Sequence, residues 1–207
     1  MRSRSRPRAV GLFVALCSPF ASLLFASLLY ATDSPASVSV AATWDGLLHD
    51  SNAAVLVTAV EARPVWENGR IITYTRVHVD RPVAGDMGTG ADAWVRTMGG
   101  VVGKVGQIVE GEAAFAPGES SLLFLRAGPP GSYVVTSRGQ GQFPVVADDP
   151  KAPARVVQSH SAGMLVPPRA IPTTASPVRL AADVMQGRPV DDVARDIAAA
   201  WGAAHAR

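Results

Sequence analysis

Cysteine is nearly absent from this 207-residue chain, and the one copy, Cys17, sits in an apolar stretch near the N-terminus. The remainder has no disulfide to draw on and must hold its fold by burial. Aromatic residues are scarce at 6%, so each one outside a core is conspicuous. The motifs of common chemistries are missing as well. There is no Gly-x-Ser-x-Gly elbow, no His-Glu-x-x-His pair and no Asp-rich calcium loop. Gly103-Lys104 is followed by Val105, whereas a phosphate loop needs Ser or Thr at that point, opening a helix. His49, His78, His160 and His205 are scattered, while zinc needs three or four converging ligands. Asp148-Asp149 reads as a turn with solvated acids. Ser120-Ser121 and Ser159-His160-Ser161 bring hydroxyl and imidazole together in sequence only, and a nucleophile needs a base and an orienting group within reach. The expectation is a protein without catalytic residues, metal or cofactor. A cryptic secreted hydrolase using Ser120 or Ser121 is the most remote alternative.

What is present begins with an address. Arg2, Arg4, Arg6 and Arg8 precede Ala9 to Ala31, a run without a single charge. A basic head followed by an apolar stretch is the pattern of a signal peptide, and the length also suits a spanning anchor. Residues 1–31 are therefore expected to be a signal peptide or retained N-terminal anchor, followed by a spacer over 32–42. Leu29-Tyr30-Ala31 and Val40-Ala41-Ala42 are the two small-x-small candidates for cleavage. Either way the positive-inside rule places the rest outside the cytoplasm, secreted or in the periplasm or cell envelope. Cys17 follows the bulky Leu16, which argues against a lipid anchor there. Without the four leader arginines the chain carries 15 basic against 17 acidic groups. That near-neutral balance speaks against a nucleic-acid or anionic-membrane partner. The expected partner is a protein or other extracellular ligand, with membrane contact only through a retained leader.

Thr43 can cap a short helix, Trp44 to His49. Ala53 to Val60 is a β-branched run suited to a strand covered on both faces. Pro64 is expected to interrupt it before Val65-Trp66-Glu67. Asn68-Gly69 then favours the positive φ values of a type I′ hairpin turn. On the return strand Ile71, Thr73, Thr75, Val77 and Val79 share one face, and Ile72, Tyr74, Arg76 and His78 the other. Arg81 to Gly90 reads as a loop, Ala93 to Thr97 as a strand and Val105 to Phe115 as irregular extended chain. Leu122 to Leu125, Tyr133 to Thr136, Phe143 to Val146 and Arg155 to Val157 are further short strands between Gly and Pro turns.

Residues 43–158 are thus expected to form a mainly β domain, an antiparallel OB-like β-barrel of five to seven strands behind a short N-terminal helix. Residues 159–176, rich in Pro, Ala, Ser and Thr, read as a poorly ordered linker. Residues 177–207 read as a helical tail, with Ser176-Pro177 as a helix start and Gly187 as a stop. A second helix carries Val190, Val193, Ile197 and Trp201 on one apolar stripe. Trp66, beside the hairpin tip, is the leading binding candidate because tryptophan is enriched in interface hot spots. Arg76, His78 and Gln140 are its expected polar companions.

The succession Gly99-Gly100, Phe115-Ala116-Pro117-Gly118-Glu119, Leu122-Leu123-Phe124-Leu125 and Gly139-Gln140-Gly141-Gln142-Phe143 resembles a group of bacterial secreted proteins. They share a Gly-Gly, Pro-Gly-Glu and Leu-Phe-Leu signature over roughly residues 43–160, and the resemblance implies no particular activity. A more distant, architectural likeness is to netrin-like and metalloprotease-inhibitor domains on OB-type barrels, which implies extracellular protease inhibition as the runner-up function. Their disulfides and zinc-chelating N-terminal cysteine have no counterpart here, so no residue role carries over.

Overall fold

The computed structural model describes residues 38–149, 151–168 and 178–206. The leader, most of the spacer and the helix start expected at Ser176-Pro177 lie outside them. The elements are β1 (Val38–Val40), α1 (Trp44–His49), β2 (Ala53–Glu67), β3 (Arg70–Gly85), β4 (Asp92–Met98), β5 (Gly100–Val102), β6 (Val105–Gln107) and β7 (Ser120–Ala127). They continue with β8 (Tyr133–Val135), β9 (Gln142–Val146), β10 (Arg155–Val156), β11 (Met164–Val166), α2 (Ala181–Met185) and α3 (Val190–Ala204). The protein is mainly β, a multi-stranded sheet with a few helices.

The β2–β3 hairpin dominates. Asn68 and Gly69 take φ of 50° and 75°, as a type I′ turn demands. The ladder runs from Glu67 opposite Arg70 to Ala53 opposite Gly85, with register shifts at Ala54/Val55, Leu56/Val57 and Ala59/Glu61. Such bulges bend and twist a long ribbon. Neither proline ends its strand. Pro64 lies opposite Thr73, on a stretch of β2 beyond the reach of β7, which pairs only Ala53 to Thr58. An edge tolerates proline because no ladder donor is required there. Pro82 sits opposite Val55 next to a bulge, so β3 continues through the expected loop to Gly85.

The seven-stranded sheet has the order β10-β9-β7-β2-β3-β4-β8, and β8 pairs with β7 as well. The pairings β2–β3–β4–β8–β7–β2 therefore return to their start. The β4–β8 contact, Val95 opposite Tyr133, is parallel. The other four are antiparallel.

Two cores lie on opposite faces of β2 and β7. Ala53, Val55 and Val57 of β2 join Leu123 and Leu125 of β7, with Val77, Val79 and Val95, in the first. Ala54, Leu122 and Phe124 point the other way. They meet Trp44, Leu47 and Leu48 of α1, Met185 of α2, and Val193 and Ile197 of α3. Phe143 meets Phe124 edge-on at 6.3 Å. The apolar stripe of α3 thus covers the sheet of its own chain, and the tail is part of the domain.

Residues 159–168 also differ from a loose linker. Ser159 is buried, and its hydroxyl caps a 3-10 turn, His160–Ala162. β11 then pairs in parallel register with β1, Val38 opposite Met164 to Val40 opposite Val166. Composition misses this because the stabilising groups come from the other end of the chain. Replacing Ile197, fully buried in the second core, by Ala is expected to cost about 2–5 kcal/mol. Urea unfolding measures this, and an unchanged midpoint would mean the tail is not docked.

Candidate functional site

The outward face of β2–β3–β4 carries Arg76 and His78. Across the strands Glu61 stands opposite Arg76, Arg76 opposite Trp94, Tyr74 opposite Arg96 and His78 opposite Asp92. The Arg76 Nε donates to Glu61 Oε1 at 2.8 Å and its other arm reaches Asp92 Oδ2 at 2.5 Å. His78 Nδ1 lies 2.9 Å from Asp92 Oδ1. Arg96 bonds Glu67 at 2.7 Å, Tyr74 donates its hydroxyl to the same carboxylate at 2.8 Å, and Arg63 stacks 4.7 Å over the Trp94 ring. These donors hold the acids below the ordinary carboxylate range: Arg76 foremost for Glu61, Arg96 for Glu67, and His78 then Arg76 for Asp92. Arg76 and His78 are thus brought together, on a lattice whose charges are matched within the sheet.

Trp66 lies on the opposite face. Its partner across the hairpin is Ile71, fully buried, whereas Arg76 and His78 alternate with Ile71 along β3. The indole is 54% exposed, and strand alternation puts Trp66 on the same side as Pro64 and Ala62. That side borders an open groove of about 790 Å³ between the hairpin and the segment from Met98 to Phe115.

The groove is built by backbone clamps. Gly99 N–H donates to the Ile71 carbonyl at 2.8 Å, Thr73 Oγ1 donates to the Gly99 carbonyl at 2.6 Å, and Gln107 Oε1 accepts Ile71 N–H at 2.9 Å. Gly100, at φ 128°, lies so close to the Thr73 hydroxyl that a Cβ would collide with it. The Gly99-Gly100 pair lets the chain leave β4 and fold back over the hairpin as β5–β6. Val101 and Ile108 line the groove and stay 62% and 92% exposed. Its one half-buried acid is Glu112. Burial pushes this carboxyl above its ordinary value, against the opposing pull of Arg138 and of bonds to the Ala113 and Met98 backbone. Sequence reasoning passed over Glu112 because it sits in an aperiodic segment; only its neighbour Phe115 hinted at burial.

Gln140 belongs to neither face. Its Oε1 accepts Ala42 N–H at 2.6 Å and its Nε2 donates to the Val40 carbonyl at 3.0 Å, so its amide serves the edge of β1. It is not a companion of Trp66. Ser120 Oγ lies 3.1 Å from Thr58 Oγ1, which donates to Asp80 at 2.8 Å, while Ser121 is buried. Asp148 pairs with Arg155, and Asp149 accepts the Lys151 N–H at 2.8 Å as a turn acid does. Among the described residues no three His, Cys, Asp or Glu gather where a metal could sit. No protein-family model matches this chain, and no curated protein or solved structure shows significant similarity to it.

A carboxyl with a raised folded value binds more protons folded than unfolded, so its contribution to stability falls as pH rises through that window. Glu112→Gln removes this cost. Melting at pH 4 and pH 8 should show the variant gaining on wild type at the higher pH. A gain confined to the lower pH would show that the ionised form is the one the groove stabilises.

Proposed function

We propose that this chain is an exported, non-enzymatic binding domain that seats a protein partner along the Trp66 side of the β2–β3 hairpin and the groove beside it. One observation carries the reading: Trp66, Val101 and Ile108 are exposed on or beside one concavity. Large apolar side chains grouped at a concave surface mark contact sites, and tryptophan is enriched among interface hot spots. Export rests on the basic-then-apolar leader, and the near-neutral remainder favours a protein over a polyanion. The cycle of five strands with one parallel contact supports reading the sheet as an OB-like barrel, whose loops and faces commonly serve binding. The same likeness is the sole support for the protease-inhibitor alternative. The resemblance to secreted bacterial β-domains agrees with the address and adds no activity.

Capture from envelope and culture fractions tests the reading. Wild type and His78→Ala, altered on the opposite face, should recover the same protein, and Trp66→Ala should lose it. An anchor of about 2 kcal/mol corresponds to roughly a thirtyfold loss of affinity. Identical recovery by all three proteins would exclude the hairpin as the contact.

A further inference from the structure

The structure assigns the segment Val38–Ala42 to the working domain, and we infer that the mature chain begins upstream of Val38 and not at Thr43. Val40-Ala41-Ala42 is one of the two small-x-small cleavage signals that follow the basic head. Four backbone groups of Val40 to Ala42 have partners elsewhere in the domain. β1 pairs with β11 in register, and Ala41 N–H donates to the Val166 carbonyl at 2.8 Å. Ala42 N–H donates to Gln140 Oε1 at 2.6 Å, the Val40 carbonyl accepts Gln140 Nε2 at 3.0 Å, and the Ala42 carbonyl accepts Ala181 N–H at 3.0 Å. Ala41 itself is buried.

A cut after Ala42 would remove β1 and strand the partners it leaves behind. Both ends of the Gln140 amide, the Val166 carbonyl and the Ala181 N–H would lose their bonds together, and unpaired polar groups of this kind are costly where water cannot replace the partner. The new terminus would also carry an ammonium on Thr43. That residue is the cap of α1, its hydroxyl accepting Gly46 N–H at 3.0 Å, and positive charge is unfavourable at a helix N-terminus. Thr43 further bridges to Leu180, and Trp44 N–H bonds the Arg179 carbonyl at 2.8 Å, so the disturbance would reach α2 and the second core. The earlier signal, Leu29-Tyr30-Ala31, spares all of these contacts.

The test is the intact mass and N-terminal sequence of the full-length gene product recovered from outside the cytoplasm. Val40→Arg serves as a second arm, since a large cation spoils the small-residue rule for a cut after Ala42 while Val40 is largely exposed on β1. A first residue upstream of Val38, unchanged in Val40→Arg, is the expected result. An uncleaved chain starting at Met1 also keeps the segment, and it would overturn leader removal alone. A first residue of Thr43, with Val40→Arg shifting the cut or blocking it, overturns the inference. The fraction in which the protein is found reports separately on export.

Discussion

The fold depends on β7 being covered on both faces. Ser121 to Leu125 are all buried, and the strand pairs with β2, β8 and β9. Alternation sends Leu123 and Leu125 into one core and Leu122 and Phe124 into the other. In a chain with no cysteine past residue 17, this strand links the two clusters that a disulfide framework would otherwise tie. The helices are therefore integral. Without α1, α2 and α3, Leu122, Phe124 and Phe143 would face water, and each large side chain left wet forfeits about 1.5–3 kcal/mol.

Irregular segments set a second constraint, because buried backbone groups outside a ladder still need partners. Glutamine supplies them repeatedly. Gln142 bonds both backbone groups of Ala114, accepting N–H at 3.0 Å and donating to the carbonyl at 2.5 Å. Gln140 does the same for β1, and Gln107 caps Ile71. A primary amide carries an NH2 donor group and a carbonyl acceptor on one planar unit, as a peptide bond carries N–H and C=O, so it can stand in for a missing strand. The intervening Gly141 is required for a different reason: a Cβ there would collide with the Thr136 carbonyl. The Gly-Gln-Gly-Gln run thus has a structural explanation that needs no ligand.

Local patterns were legible in the sequence and distant ones were not. The Asn68-Gly69 turn, the alternation on β3, the apolar runs of β2 and β7 and the stripe on α3 all follow from spacing within a few residues. Pro64 was misjudged because its tolerance depends on where β7 ends. Residues 159–168 read as linker because their partners are in β1. The groove was invisible for a related reason: it is made by folding Gly99 to Phe115 back over Ile71, and no residue in that stretch repeats with a helix or strand period. Glu112 acquires its surroundings through that fold, and Gln140 through the docking of β1. The candidate residues were consequently divided, Arg76 and His78 to one face, Trp66 to the other, and Gln140 to the edge of β1.

That division bears on which face suits a partner. On the outer lattice Arg76 already serves Glu61 and Asp92, and Arg96 already serves Glu67. A partner covering those groups would have to desolvate charges whose best contacts are made, and removing paired ions from water seldom returns its cost. The groove side carries no such lattice; of its acids Glu112 is already half-buried and held above its ordinary value, and Glu110 stays exposed. Covering Trp66, Val101 and Ile108 releases water from apolar surface, at about 25 cal/mol per Å². Bound this way, a partner gains from burial on one side of the hairpin while the opposite side remains a hydrated, self-paired surface. On the proposed reading the ionic lattice is therefore the face left uncovered, and Arg76 and His78 lie outside the contact.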